Sequence, residues 1–237
     1  MYRGRSVSVV LPVYNEEENI RTAIEEFLAQ PFVDEVVAVD NNSSDNSAAE
    51  IKATRARYVF ETTQGYGAAL QRGMKEATGD LIVTVEPDGT FVAKDIEKLL
   101  LYGEDFDVVF GTRTSRALIW TGANMGFGIR LGNWAVAKFL EYLFNGPSLT
   151  DVGCTYKLLH RAAYERIQGH LTVNGSHFSV ELMIRSLQMR LRTVEISVNY
   201  RQRVGTSKIT GKIWKAARLG FRMIRFIALE RVKRQPR

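Results

Sequence analysis

The chain has 237 residues, 45% hydrophobic and 24% charged, which excludes collagen-like, disordered and disulfide-scaffold classes and leaves enough chain to bury a core. Its net charge of +6 is unevenly placed: nine Lys or Arg against Glu230 alone give residues 211–237 a charge of +8 and leave −2 for residues 1–210. The single cysteine, Cys154, cannot close an internal disulfide, no basic-then-apolar leader opens the sequence, and no run approaches the roughly eighteen apolar residues of a membrane span, so a cytoplasmic protein is expected.

The first half alternates strand and helix signals. Ser6 to Val13 is a Val-rich run without helical period, and Glu16 to Ala29 follows with Ile20, Ile24, Phe27 and Leu28 at helical spacing. A strand at Glu35 to Val39, turn chemistry at Asn41 to Asp45 and a helix through Ile51 come next. Arg57–Phe60, Leu81–Val85 and Val108–Phe110 continue the strands, with helices at Gly67–Ala77 and Ile96–Leu101 between them. Repeated strand–helix units predict an α/β fold with a mostly parallel sheet flanked by helices. In the second half the spacing predicts helices over Leu131–Phe144 and Ser179–Met189 and a strand over Val194–Tyr200. A last helix is expected from Lys212 to Val232, with Lys215, Arg218, Arg222 and Arg225 on one narrow face and apolar residues over the rest. The expected organisation is a catalytic domain over 1–210 and a basic amphipathic helix over 211–237.

In an open parallel sheet, ligands gather at the carboxyl ends of the strands, and there the sequence is polar. Pro12-Val13-Tyr14-Asn15-Glu16, Asp40-Asn41-Asn42-Ser43-Ser44-Asp45 and Glu86-Pro87-Asp88-Gly89-Thr90 each follow a predicted strand. Asp40 has the chemistry to accept hydrogen bonds from a nucleobase or a ribose, and Glu86 with Asp88 offers hard oxygen ligands to Mg²⁺ or Mn²⁺ on a diphosphate. Gly65-Tyr66-Gly67-Ala68-Ala69-Leu70 approaches the dinucleotide fingerprint but follows the wrong strand and lacks the third small residue. The three histidines have no zinc-ligand spacing, and Cys154 is expected to pack.

The order and spacing of these four segments resembles family 2 of the inverting glycosyltransferases, which have the GT-A fold. Phe110-Gly111-Thr112-Arg113, Arg130 with Gly132-Asn133, Asp151-Val152-Gly153-Cys154-Thr155-Tyr156-Lys157 and Arg203-Val204-Gly205-Thr206-Ser207-Lys208 are similar, within it, to the polyprenyl-phosphate sugar transferases of the dolichyl-phosphate mannosyltransferase group. The resemblance covers the chain to about residue 210 and implies roles. Pro12, Tyr14, Glu16 and Asp40 would hold the nucleoside of a nucleoside-diphosphate sugar, and Asp88, Glu86 and Thr90 would hold Mg²⁺ or Mn²⁺. Arg113, Arg130, Asn133, Arg203 and Lys208 would contact the acceptor phosphate and the diphosphate, with Asp88, Arg113 and Arg130 central to catalysis. The chain departs from the family pattern in carrying Glu86 for an aspartate, and Asn41 where a second aspartate is commoner.

Acceptor chemistry points the same way. A sugar hydroxyl needs a positioned general base, for which Asp151 and Glu181 are the candidates, whereas a phosphate monoester is already anionic and needs positioning and charge compensation. The expected reaction is metal-dependent, inverting transfer of a sugar from a GDP- or UDP-linked donor to polyprenyl or dolichyl phosphate at the cytoplasmic face of a membrane. Residues 212–234 would lie on an anionic leaflet. No nucleic-acid motif accompanies the basic segment, so no such partner is expected. The alternatives are a transferase of the same fold acting on a saccharide or small-molecule hydroxyl, and a non-catalytic nucleotide-sugar or membrane-binding module.

Overall fold

The computed structural model describes residues 1–203 and 213–233, with side chains from 218 onward in the second stretch. In chain order the elements are β1 (Val7–Val13), α1 (Ile20–Leu28), β2 (Glu35–Asp40), α2 (Ser47–Lys52), β3 (Arg57–Phe60), α3 (Tyr66–Glu76), β4 (Leu81–Thr84), α4 (Ile96–Tyr102), β5 (Val108–Thr112) and α5 (Phe127–Phe144). There follow β6 (Lys157–His160), α6 (Arg161–Ile167), α7 (Phe178–Gln188), β7 (Thr193–Ser197) and α8 (Ile213–Val232). The strands form a seven-stranded sheet in the order β3-β2-β1-β4-β6-β5-β7, in which only β6 runs against the others.

Successive side chains of a strand point to opposite faces, and here both faces are covered. Val9 and Leu11 enter one core with Ile20, Ile24, Ile51 and Leu99, from the helices on that side. Val10 enters the other with Met74, Leu140, Phe178 and Ile227, from α3, α5, α7 and α8. The chain passes from β1 outward through β2 to β3 and then returns to β4 on the other flank of β1. The resulting switch point opens a crevice at the carboxyl ends of β1 and β4.

Two expectations need correction, and one strand–helix pair is new. The strand β6 and helix α6 carry no clear sequence signal, because the strand has only four residues and opens on Lys157. The strand expected over Val194–Tyr200 ends at Ser197; Tyr200 instead makes isolated bridges to Phe91 and Ile119. Helix α5 starts four residues early, at Phe127, despite Gly128 and Gly132, which puts Arg130 in its first turn.

The boundary expected between residues 210 and 211 lies outside the described residues, but α8 itself is no detached segment. It packs against α5 and α7 through Leu219, Met223, Phe226 and Ile227, and the buried Glu230 pairs with Arg185 of α7 at 2.6 Å. Burial by itself raises the Glu230 pKa; hydrogen bonds from Lys233 and Arg185 outweigh this and hold it below the usual range. A carboxyl whose folded pKa lies below its unfolded value of about 4.3 adds stability above that pH and loses it as the pH falls through the folded value. Thermal unfolding is therefore expected to come earlier below about pH 4, with a shallower acid limb in Glu230→Gln. An acid limb unchanged in that variant would remove the pairing as its cause.

Candidate active site

The loops after β1 and β2 are laced together by hydrogen bonds. Asn15 and Asn42 take left-handed backbone, φ 53° and 60°, which asparagine tolerates better than most residues. Asn15 accepts from the Ser44 N–H through its side chain and donates its own N–H to the Ser43 hydroxyl, while the Ser47 hydroxyl accepts from the Glu16 N–H. Asp40 ends β2, buried, accepting from the Ser43 N–H at 3.0 Å and the Tyr58 hydroxyl at 3.2 Å. Pro12 is buried in β1, and Tyr14 is exposed at the crevice mouth. Asn41 serves a different purpose from a ligand contact: its amide donates to the Glu61 and Thr63 carbonyls and accepts from the Gly65 N–H, pinning the loop before α3.

The glycine pattern that mimics a dinucleotide fingerprint is explained by packing. A Cβ on Gly65 or Gly67 would sit 2.2 Å from the Asn174 carbonyl oxygen or 2.1 Å from that of Val173. The Asn174 carbonyl takes the Gly67 and Ala68 N–H groups, so the first turn of α3 is capped by protein, where a dinucleotide fold would place phosphate.

On the loop after β4, Asp88 is buried, and its Oδ1 accepts from both the N–H and the hydroxyl of Thr90. Thr90 thus orients Asp88. The other oxygen, Oδ2, lies 3.1 Å from Nη1 of Arg203, whose Nη2 lies 2.6 Å from Oε1 of Glu16. The Arg201 N–H donates to the Thr90 carbonyl and steers this segment across the crevice. Glu86 lies two residues before Asp88; burial and the charge of Asp88 lift its carboxyl to about 7, against the pull of Arg113 and Arg203. Sequence spacing gave no sign that the Arg203 cation would sit between Glu16 and Asp88.

A second cluster lies beyond β5. Arg113 donates through Nε and Nη2 to the two oxygens of the fully buried Asp151, at 2.8 and 3.0 Å, and its guanidinium stacks on Tyr200 at 5.2 Å. A Cβ on Gly153 would meet Arg113 Nη2 at 2.9 Å and Asn133 Oδ1 at 3.3 Å, so these groups meet around a position that a larger residue would crowd. Arg130 is half-buried one turn before Asn133 and has no ion-pair partner among the described residues. Lys208 lies outside the described residues.

The two carboxylates considered as general bases are otherwise engaged. Asp151 also accepts from the Arg113 and Gly153 N–H groups, and the buried Glu181 accepts from the Thr172 and Val173 N–H groups and the Thr172 hydroxyl. Cys154 is buried with its thiol pushed to about 12 by desolvation, which makes it inert. Sequence reasoning missed the roles of Tyr200 as the platform under Arg113 and of Lys157, a buried cation that donates to the Cys154 carbonyl and fixes the loop after Asp151. Neither has a signal in a single sequence.

The family model of glycosyl transferase family 2 matches residues 8–168, which hold β1 to β6 and the loops after β1, β2, β4 and β5, while Tyr200 and Arg203 lie beyond it. The chain belongs to glycosyl transferase family 2. As a family 2 glycosyltransferase it is 29% identical over 216 residues to an uncharacterized glycosyltransferase of Mycobacterium tuberculosis, covering 89% of this chain and 92% of that one. It is 28% identical to a dolichyl-phosphate hexose transferase of Haloferax volcanii, covering 88% of each. It is also 28% identical to an undecaprenyl-phosphate 4-deoxy-4-formamido-L-arabinose transferase of Serratia proteamaculans, covering 86% of this chain and 63% of that one. Among solved structures it is similar to glucosyl-3-phosphoglycerate synthase from Mycobacterium tuberculosis with Mn²⁺, UDP and phosphoglyceric acid, with a TM-score of 0.74 at 20% identity, covering 98% of this chain and 80% of that one. That likeness establishes the GT-A fold.

The donor-side residues fit a divalent cation of the family. The oxygens of Asp88 and Glu16 already converge on a positive group, the Arg203 guanidinium, and the ligands on offer are all hard oxygens. One or two carboxylates with the rest of the shell from diphosphate and water is the usual arrangement for Mg²⁺. Because the Arg203 guanidinium sits between the Asp88 and Glu16 carboxylates, Arg203→Met is expected to tighten Mn²⁺ binding several-fold in the absence of nucleotide, as read by electron paramagnetic resonance. Weaker Mn²⁺ binding in this variant would rule out the competition.

Proposed function

We propose that the protein transfers a sugar from a nucleoside-diphosphate sugar to a polyprenyl phosphate, with inversion at the anomeric carbon, at the cytoplasmic face of a membrane. One observation carries the choice of acceptor: beyond β5 the site offers Arg113, Arg130 and Asn133, while Asp151 and Glu181 are engaged in internal hydrogen bonds. A site poor in available base and rich in cations suits an acceptor that arrives already ionised. The names of the Haloferax and Serratia relatives, a dolichyl-phosphate and an undecaprenyl-phosphate transferase, support the same class. Among the described residues no helix is long and apolar enough to cross a membrane.

In this reading Asp40, Tyr14 and Pro12 frame the nucleoside, and Asp88 with Glu86 would hold Mg²⁺ or Mn²⁺, which when bound neutralises charge on the diphosphate. Arg203 leaves its contacts with Asp88 and Glu16 and turns to the diphosphate, adding a second positive group to the leaving side. Arg113, fixed by Asp151 and stacked on Tyr200, would present its guanidinium to the acceptor phosphate, with Arg130 and Asn133 beside it. An oxygen of the lipid phosphate attacks the anomeric carbon in line. The bond to the diphosphate breaks with its electron pair going to the departing nucleoside diphosphate, and no proton transfer is needed at the nucleophile.

The test is incubation of purified protein with labelled UDP- and GDP-sugars, Mg²⁺ or Mn²⁺ and a short polyprenyl phosphate. A chloroform-soluble labelled product is expected. Transfer only to a water-soluble hydroxyl acceptor would overturn the choice of acceptor, and donor binding without nucleotide release under any condition would favour a binding module.

A further inference from the structure

Helix α7 is buried along almost its whole length, and α5 and α8 pack against it and against each other. Their inner stripes meet in one core, Val136, Ala137 and Leu140 from α5 and Met223 and Ile227 from α8. The sequence led us to expect one basic and one broad apolar face on α8; the structure divides its apolar residues into two stripes. Leu219, Met223, Phe226 and Ile227 face the body, while Phe221, Ile224 and Val232, at 70%, 40% and 86% exposure, lie on the opposite side at helical spacing. Arg218, Arg222 and Arg225 border this outer stripe on one flank and Arg231 on the other, all exposed. Its acid, Glu230, points inward to Arg185.

Helix α5 repeats the pattern. Phe127, Leu131 and Trp134, spaced by four and three, are 70%, 50% and 47% exposed on the side away from Val136, Ala137 and Leu140, and Tyr142 continues the line at 84%. Because α7 covers the inner side of both helices, their outer stripes leave the molecule on one side. Apolar surface of this extent is uncommon on a soluble monomer. Aromatic side chains beside arginines, with no unpaired acid on α8, match the boundary between headgroups and acyl chains of an anionic leaflet. A second copy of the chain fits less well, since its approach would set arginine-bordered helix against arginine-bordered helix.

We propose that α5 and α8 together form a membrane-docking face, with Phe127, Leu131 and Trp134 inserted below the headgroups and Arg218, Arg222 and Arg225 on the lipid phosphates. The purpose of this face rests on the polyprenyl-phosphate reading. Arg130 and Asn133 occupy the same first turns of α5, so docking sets the acceptor-side cations at the depth of lipid phosphates, and the polyprenyl chain stays in the leaflet while its phosphate enters the site.

The test is flotation of the full chain with phosphatidylcholine vesicles, with and without phosphatidylglycerol. Binding is expected only with the anionic lipid and should weaken with salt. Leu131→Ser with Trp134→Ser is expected to lower partitioning about tenfold or more, because apolar burial at the interface is lost, with an unchanged unfolding midpoint, because both side chains are exposed. In a variant whose other tryptophans are phenylalanine (Trp120→Phe, Trp214→Phe), brominated lipid should quench Trp134. Flotation unaffected by the double substitution, no quenching, or a dimer that the substitution disperses would each overturn the proposal. The flotation contains neither donor nor polyprenyl phosphate, so its failure leaves the transfer reaction standing, and failure of transfer with intact flotation leaves the docking face standing.

Discussion

Asp88→Asn is expected to lower kcat/KM by about 10³-fold or more, equivalent to roughly 4 kcal/mol of transition-state stabilisation, while moving the unfolding midpoint very little. The two halves of this expectation come from the two oxygens of one carboxyl group. Oδ1 accepts from the N–H and the hydroxyl of Thr90, and an asparagine oxygen keeps both bonds, so the loop after β4 holds its shape. Oδ2 faces the Arg203 guanidinium at 3.1 Å, and an amide nitrogen there turns a donor toward a cation. The stability lost with that pair is limited, because Arg203 is a quarter exposed and keeps Glu16 as a counter-charge. On the mechanism proposed above, the chemistry loses the charge that would gather cations on the leaving diphosphate. Glu86→Gln should cost much less, about tenfold, since burial and the neighbouring Asp88 already lift that carboxyl to about 7 and leave it a weaker anion at neutral pH. Nucleotide release measured alongside thermal unfolding checks both. Asp88→Asn turning over within tenfold of the parent, or Glu86→Gln falling as far as Asp88→Asn, would remove the assigned division of roles.

How far the sequence carried this reading depends on how local each signal is. The strands β1, β2 and β4 are buried on both faces, so they appear as unbroken apolar runs, and the polar loops after them are where an open sheet puts its ligands. Asp40, Glu86 and Asp88 were legible for that reason. The strand β6 was not, because a buried lysine sits at its start and its antiparallel entry follows no strand–helix alternation. The joining of Glu16 to Arg203 spans 187 residues and that of Arg113 to Asp151 spans 38, and neither pairing leaves a trace in spacing. Helical periodicity shows which residues of α8 share a face but not which face the body takes. Only the packing of Met223 and Ile227 against α5 and α7 reveals that a second apolar stripe is left outside.

The largest effect on stability is expected at Asp151, and it separates two roles of Arg113. Asp151 is fully buried and accepts from Arg113 through its backbone N–H, Nε and Nη2, and from the Gly153 N–H. Burial by itself raises its pKa; Arg113 outweighs that and holds it below the usual range. Asp151→Ala leaves the guanidinium, 12% exposed, without its counter-charge, which for a buried pair costs about 3–5 kcal/mol. In a chain of this length each kcal/mol lowers Tm by about 2–4 °C, so a fall of roughly 6–20 °C is expected. Removing both charges should cost far less than the sum of the single losses, because an apolar pair of similar size has no uncompensated ion. The double variant Arg113→Met with Asp151→Leu should therefore recover much of the stability lost in Asp151→Ala. If Arg113 only braces the loop, turnover recovers with it; if Arg113 also meets the acceptor phosphate, stability returns and turnover does not. The second outcome is expected, because the Asp151 pairing uses Nε and Nη2, and Asn133 stands beside the same guanidinium across Gly153. A double variant as unstable as Asp151→Ala would overturn the ion-pair account, and one with full turnover would reduce Arg113 to a brace.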